Sequence, residues 1–205
     1  MSPKLYLAFV ASSVFVIALP GPTNLFVVSH ALAKGSRSAM GCILGVGLGD
    51  AVAATVSALG LGAILATSAF AFGIFKWIAA LYLLWLGVKM WRESPFDAQG
   101  VSETASSGIG AGVKAFAITA LNPKVIVFFM AFLPNFVVKS APLVPQLALL
   151  IATFVAIGVL VSAVYALAGH SLGTFLHSPS RLQLFNRTGG GFMIGAAALT
   201  ATMNP

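Results

Sequence analysis

Six apolar runs, each about as long as a membrane crossing, occupy most of this 205-residue chain: Leu5 to Ala33, Ala39 to Ala66, Ala69 to Trp91, Val113 to Val138, Leu143 to Gly169 and Leu182 to Thr202. Only 7% of the residues are charged, against the ~25% of an ordinary soluble domain, so a water-soluble fold is excluded. At ~20 residues per crossing, six crossings use ~120 residues and leave about 85 for every tail and loop. A separate catalytic domain does not fit. The expected fold is therefore an all-α integral membrane protein of six transmembrane helices. Residues 1–205 form one membrane domain: 5–91 and 113–203 carry three crossings each, and 92–112 is a solvated linker holding Glu93, Asp97 and Glu103. The Pro20-Gly21-Pro22 interruption makes the first run a retained, broken crossing rather than a cleaved leader.

The net charge of +7 does not mark a nucleic-acid binder, because basic residues of membrane proteins collect in cytoplasmic connections. Lys34, Arg37, Lys89, Arg92, Lys114, Arg181 and Arg187 fall on one side of the expected topology, and Lys4, Lys76 and Lys139 on the other. The richer side is assigned to the cytoplasm, which puts both termini in the periplasm. The lone Cys42 provides no disulfide, thiol relay or thiolate cluster within one chain.

Three crossings per half mean that the second half enters the bilayer inverted relative to the first. Each half opens with a broken helix, at Leu19-Pro20-Gly21-Pro22 and at Leu121-Asn122-Pro123, and matched breaks of this kind point to a transporter's central site. Proline lacks an N–H and clashes with the carbonyl four residues earlier, so both breaks free polar backbone groups. Neighbouring helices or a ligand must satisfy those groups, since lipid cannot. The stripes Gly41, Gly45, Gly49 and Gly158, Ser162, Ala166 read as packing seams, with Gly189, Gly190, Gly191 and Gly195 as a third.

Asp50 and Lys124 are the charged residues that this topology leaves within the membrane rather than near either side. Asp50, where an unpaired charge costs about 2.5–3.5 kcal/mol on insertion scales, is held neutral, paired with a cation, or alternates between these states and so carries a proton. A fixed structural ion pair is the plainer use. Lys124 directly follows the second break and is placed to meet Asp50 or a substrate carboxylate; Asn24 and Asn122 add donors and acceptors at the breaks. The expected substrate site is thus Pro20, Gly21, Pro22, Asn24, Asn122, Pro123 and Lys124, with Asp50 as the proton-coupling group. His30, His170 and His177 lack the close spacing of a metal pair and read as interfacial or structural. No metal or other cofactor is expected. Two other classes stand beside a carrier: a divalent-cation exporter or passive small-solute channel, and an intramembrane enzyme using Asp50 as acid or base. The metal carrier is short of ligands, and no nucleophile with a base in reach can be read from the spacing.

Pro20-Gly21-Pro22, the run Gly41 to Asp50, and Asn122-Pro123-Lys124 followed by Phe128-Phe129 and Pro134-Asn135-Phe136 occur in the order that characterises one family. Across nearly its whole length the chain resembles the LysE/RhtB amino-acid exporters, with Pro134-Asn135-Phe136 standing where Pro-Gln-Phe is common. The resemblance implies a bacterial inner-membrane carrier that moves amino acids or their derivatives outward on the proton gradient. Its partners would be the amino acid, protons and the bilayer, and it is compatible with a homodimer. With Asp50 as the lone intramembrane acid, a neutral amino acid is expected. The topology is checked by fusing alkaline phosphatase after Pro205: the fusion is expected to be active, and a green fluorescent protein fused there dark.

Overall fold

The computed structural model describes residues 1–19, 21–67, 69–92, 108–138, 140–168 and 179–202. Pro20, Glu93, Asp97, Glu103, Lys139, His170 and His177, and most of the expected linker, lie outside the described residues. Those described form eight helices and no strand: α1 (Pro3–Ala18), α2 (Pro22–Lys34), α3 (Met40–Thr67), α4 (Ala69–Arg92), α5 (Gly108–Ala120), α6 (Pro123–Phe136), α7 (Leu143–Leu167) and α8 (Pro179–Thr202). Within α3, Met40–Gly60 is long and apolar enough to cross a membrane, as is α7; α1 with α2 and Ile109–Ala120 with Pro123–Met130 qualify as bent pairs.

The bends are 58° between α1 and α2 and 40° between Ile109–Ala120 and Pro123–Met130. Each second half-helix begins with proline, Pro22 or Pro123, where a missing N–H costs nothing because the first amides of a helix have no internal acceptor. A proline thus ends one half-helix and starts the next.

Packing follows a reciprocal pattern. The pair α5 and α6 lies against α3, the pair α1 and α2 lies against α7, α3 meets α7, and α4 meets α8. Two apolar cores result. One is aromatic and joins α1, α6 and α7 through Phe9, Phe128, Phe129, Phe132, Phe136 and Phe154, with rings such as Phe129 and Phe154 meeting edge to face at 4.8 Å. The other, between α2, α3, α5 and α7, is built of Phe26, Val27, Cys42, Ile43, Val46 and several alanines. Phe15 of α1 adds a contact to Phe192 of α8, with ring centres 4.1 Å apart.

Glycines set how closely the helices approach. A Cβ at Gly45 would run into the Gly112 carbonyl, and one at Gly87 would lie 2.8 Å from the Gly190 carbonyl oxygen. These contacts are backbone on backbone, which only a missing side chain permits. At the turn into α7, Gln146 fastens the connection after α6: its Oε1 accepts from Val138 N at 2.9 Å, and its Nε2 donates to the carbonyls of Val138, Ala141 and Pro142 at 3.1–3.2 Å. His30 closes the α2–α3 turn through a 3.0 Å hydrogen bond with Ser38.

Placing a side chain in these seams forces helices apart, an overpacking cost of about 1–3 kcal/mol. Gly45→Leu and Gly87→Leu are expected to lower the melting temperature of detergent-solubilised protein, whereas Gly195→Ala, with nothing within 4 Å of its Cβ position, leaves it unchanged or raised.

Candidate functional site

The two breaks meet. Lys124, the second residue of α6, sends its ammonium across to the end of α1, where Nζ donates to the Leu19 carbonyl at 3.1 Å. The same Nζ lies 3.6 Å from where a Cβ at Gly21 would stand, so the absent side chain gives the ammonium its berth at the first break. Below it, Thr23 of α2 accepts two hydrogen bonds from the other broken pair, from Thr119 Oγ1 and Asn122 Nδ2, both at 3.3 Å.

Three helices contribute side chains that cap the last carbonyls of α1. Asn24 Nδ2 donates to Ile17 O at 2.8 Å and Leu19 O at 3.1 Å, Tyr165 of α7 donates its hydroxyl to Ala18 O at 2.8 Å, and Lys124 shares Leu19 O. Cations are favoured at a helix C-terminus, where the peptide dipoles present their negative end. The freed carbonyls at the first break are therefore satisfied by protein, the neighbouring-helix alternative that the sequence left open. The reason is chemical: a buried orphan carbonyl costs about 1–3 kcal/mol, and an amide, a phenol and an ammonium stand within reach.

The amide ends of the breaks differ. At α6, Asn122 caps the helix, its Oδ1 accepting from Lys124 N at 3.0 Å. At α2, Gly21 has no side chain to offer and no side-chain cap is present. The first intrahelical bond of α2 runs from Leu25 N to Gly21 O at 2.9 Å, so the amides of Thr23 and Asn24 precede it. Of the two half-helix starts, α2 is thus the one open to an added acceptor, and it has the Lys124 ammonium beside it.

Asp50 stands on α3 with only 3% of its surface exposed. It points at α7, where Gly158 leaves it room: a Cβ there would collide with Oδ2 of the carboxylate. Asp50 and Lys124 each act on the other electrostatically. Immediately before Asp50, a Cβ at Gly49 would lie 2.7 Å from Thr119 Cβ, which places the carboxylate's helix directly against the α5–α6 break. Asn24, Asn122 and Asp50 are buried, while Pro22 and Pro123 are exposed. Sequence reasoning missed Tyr165 and Thr119 and gave Thr23, which follows the first break, no partner; the partners lie roughly a hundred residues or more away along the chain, and Gly158 was treated as a packing residue only. Among the described residues no three His, Cys, Asp or Glu side chains gather as metal ligands.

Residues 14–204 match the LysE type translocator family. The chain belongs to that family. It is a membrane transporter and not an enzyme. An uncharacterized membrane protein of Vibrio cholerae is 34% identical over 203 residues, covering 98% of each chain. A homoserine/homoserine lactone efflux protein of Salmonella typhimurium is 27% identical over 98% of each, and a leucine efflux protein of Klebsiella pneumoniae 29% identical over 97% of this chain and 95% of its own. No solved structure matches the chain.

Capping predicts a graded loss of stability in this LysE-family chain. Asn24→Ala strips donors from two buried carbonyls and is expected to cost about 1–3 kcal/mol; Tyr165→Phe removes one donor and is expected to cost less. Thermal unfolding of both variants in detergent measures the order.

Proposed function

We propose that this protein exports a neutral amino acid or amino-acid derivative from the cytoplasm by proton antiport with alternating access. The observation that carries the reading is the asymmetry of the breaks: one half-helix start capped by Asn122, the other uncapped and flanked by an ammonium. A helix N-terminus with free amides and a lysine beside it suits an α-carboxylate. On this reading the carboxylate sits at the start of α2, held by the amides after Gly21 and Pro22, and takes Lys124 from the Leu19 carbonyl. Asn122, Pro123 and Thr23 fix the geometry of the opposite break, and Asn24 keeps the end of α1 in place.

Asp50 is the coupling group. The α-ammonium of the bound amino acid pairs with the Asp50 carboxylate, which must be free of its proton to receive it, so binding from the cytoplasm favours release of that proton. When the substrate leaves on the periplasmic side, Lys124 turns back to the Leu19 carbonyl and the buried carboxylate, having lost its partner, takes up a proton. Substrate and proton thus exchange for one another at one carboxylate, with no metal ion in the cycle. Relatives named for homoserine and leucine efflux support an amino-acid substrate, and Asp50 as the lone intramembrane acid favours a neutral one.

The architecture we assign to this function is six crossings in two inverted three-helix repeats: α1–α2, α3 and α4 in residues 5–91, then α5–α6, α7 and α8 in residues 113–203, joined by a cytoplasmic linker. Support comes from the reciprocal packing, in which α3 holds α5 and α6 as α7 holds α1 and α2. From the distribution of basic residues we assign the ends of α2 and α4 and the starts of α5 and α8 to the cytoplasmic side, and both termini to the periplasmic side, of a bacterial inner membrane. A homodimer fits this reading as the family resemblance does.

Inside-out vesicles with an imposed pH gradient test the proposal, using the twenty L-amino acids and homoserine as labelled probes. At least one is expected to accumulate and to move protons, reported by a trapped pH dye; accumulation of none would overturn the reading. Asp50→Asn is expected to abolish gradient-driven accumulation while sparing exchange of the same amino acid at equal pH. Lys124→Met is expected to abolish both.

A further inference from the structure

Two ties hold the breaks together, and a solute entering between them must replace both. The charged tie, from Lys124 to Leu19 O, is replaced when a carboxylate takes the ammonium. The uncharged tie joins Thr23 of α2 to the α5–α6 break. Its two bonds, from Thr119 Oγ1 and Asn122 Nδ2, are both 3.3 Å long, against the ~2.7–3.0 Å usual for such donors.

That cluster has hydrogen-bonding capacity left over. A hydroxyl oxygen can accept two hydrogen bonds and give one. Among the described residues, Thr23 Oγ1 accepts two and its own proton has no acceptor, while Thr119 Oγ1 gives one and receives none. Asn122 spends Oδ1 on Lys124 N and one amide proton on Thr23, which leaves its other amide proton. Thr23, Thr119 and Asn122 are 8%, 1% and 7% exposed, so bulk water meets little of this capacity.

Its position ties it to the substrate. The amide of Thr23 is one of those left before the first intrahelical bond of α2, and on the reading above it holds the α-carboxylate. The Thr23 hydroxyl is thus on the same residue as a carboxylate-binding amide, in reach of a group on the substrate's β- or γ-carbon. Thr119 borders the other side, against Gly49, the neighbour in sequence of the Asp50 that receives the α-ammonium. Gly21 and Lys124 are partly exposed and Pro22 is exposed, so this corner of the breaks is open to an arriving solute. An apolar side chain finds no comparable berth. Beyond Lys124, Phe128 and Phe129 are 2% and 1% exposed and already in ring contact with each other and with Phe154 at 4.8–5.7 Å.

We infer that Thr23, Thr119 and Asn122 read the substrate's side chain, selecting a neutral amino acid with a hydroxyl on its β- or γ-carbon over the apolar amino acid of the same shape. The inference rests on the amino-acid export reading above and narrows its substrate class. As the breaks part, the substrate hydroxyl accepts from Thr23 Oγ1 or Asn122 Nδ2 and donates to Thr119 Oγ1. The uncharged tie is then rebuilt through the side chain, as the charged one is through the carboxylate. A methyl group in that place leaves a buried donor and a buried acceptor unpaired, which is how a site built for a hydroxyl rejects the analogue lacking it.

The same vesicles test this with two labelled pairs in which a hydroxyl stands for a methyl, threonine against valine and homoserine against norvaline. The unaltered protein is expected to accumulate the hydroxyl member of at least one pair about tenfold faster, the size of one net hydrogen bond. Thr23→Val and Thr119→Val, which keep the side-chain shape, are expected to bring that ratio to within about twofold, and Thr119→Ser, which keeps the hydroxyl, to preserve it. Equal rates for both members of both pairs in the unaltered protein would overturn the inference. So would an unchanged ratio in the valine variants, since a purely structural tie slows both members together. If one valine variant is not recovered in the membrane, the other, on the opposite break, carries the test. Accumulation of no amino acid at all sinks the export reading itself, whereas valine and norvaline moving as fast as their hydroxyl partners removes the side-chain preference and leaves export standing.

Discussion

A single ammonium in hydrocarbon has to be neutralised, and the way Lys124 meets that demand organises the centre of this protein. It reaches from the start of α6 to the carbonyl end of α1, 3.1 Å from Leu19 O, so the negative pole of one broken helix solvates the cation carried by the other. That contact fixes the distance between the breaks. Thr23, receiving from Thr119 and Asn122, repeats the link without charge. Everything else at the site is arranged around these two ties: Asn24 and Tyr165 take the remaining carbonyls of α1, and Asp50 supplies the opposing charge from α3.

The two cores give these ties different surroundings. The aromatic core beyond Lys124 interlocks rings from α1, α6 and α7, and their mutual orientation, as in the edge-on contact of Phe9 with Phe136 at 5.2 Å, specifies one arrangement. The core between α2, α3, α5 and α7 is dominated by small residues, among them Ala39, Ala111, Ala115 and Ala166. Close backbone approach at Gly45 and Gly112 belongs to this second region. Such a seam holds helices through dispersion over short distances rather than through ring interdigitation.

Much of this was legible in the sequence for one reason: prolines and charges are costly in hydrocarbon, so each one marks a place where structure must compensate. Pro22 and Pro123 marked both breaks, and Asn122 was read as a donor and acceptor there without its role as a helix cap. Asp50 and Lys124 stood out as charges within spans, and the structure puts them in one electrostatic neighbourhood. Tyr165 was not legible, because a tyrosine in a crossing is unremarkable until its partner is known, and Ala18 lies 147 residues away. The same holds for Thr23 with Thr119, and for Gly158, whose function as clearance for a carboxylate cannot be told from ordinary helix packing without coordinates. The capped carbonyls of α1 were foreseen only as one of two outcomes, since a sequence shows which groups are freed and not which side chains arrive.

Gln146 has a mechanical consequence. Its amide grips both groups of Val138 and the carbonyls of Ala141 and Pro142, so the elbow between α6 and α7 can neither stretch nor swivel without breaking several bonds at once. A stiff elbow acts as a crank: α6, which carries Lys124, is coupled through it to α7, and hence to the wall against which Asp50 rests.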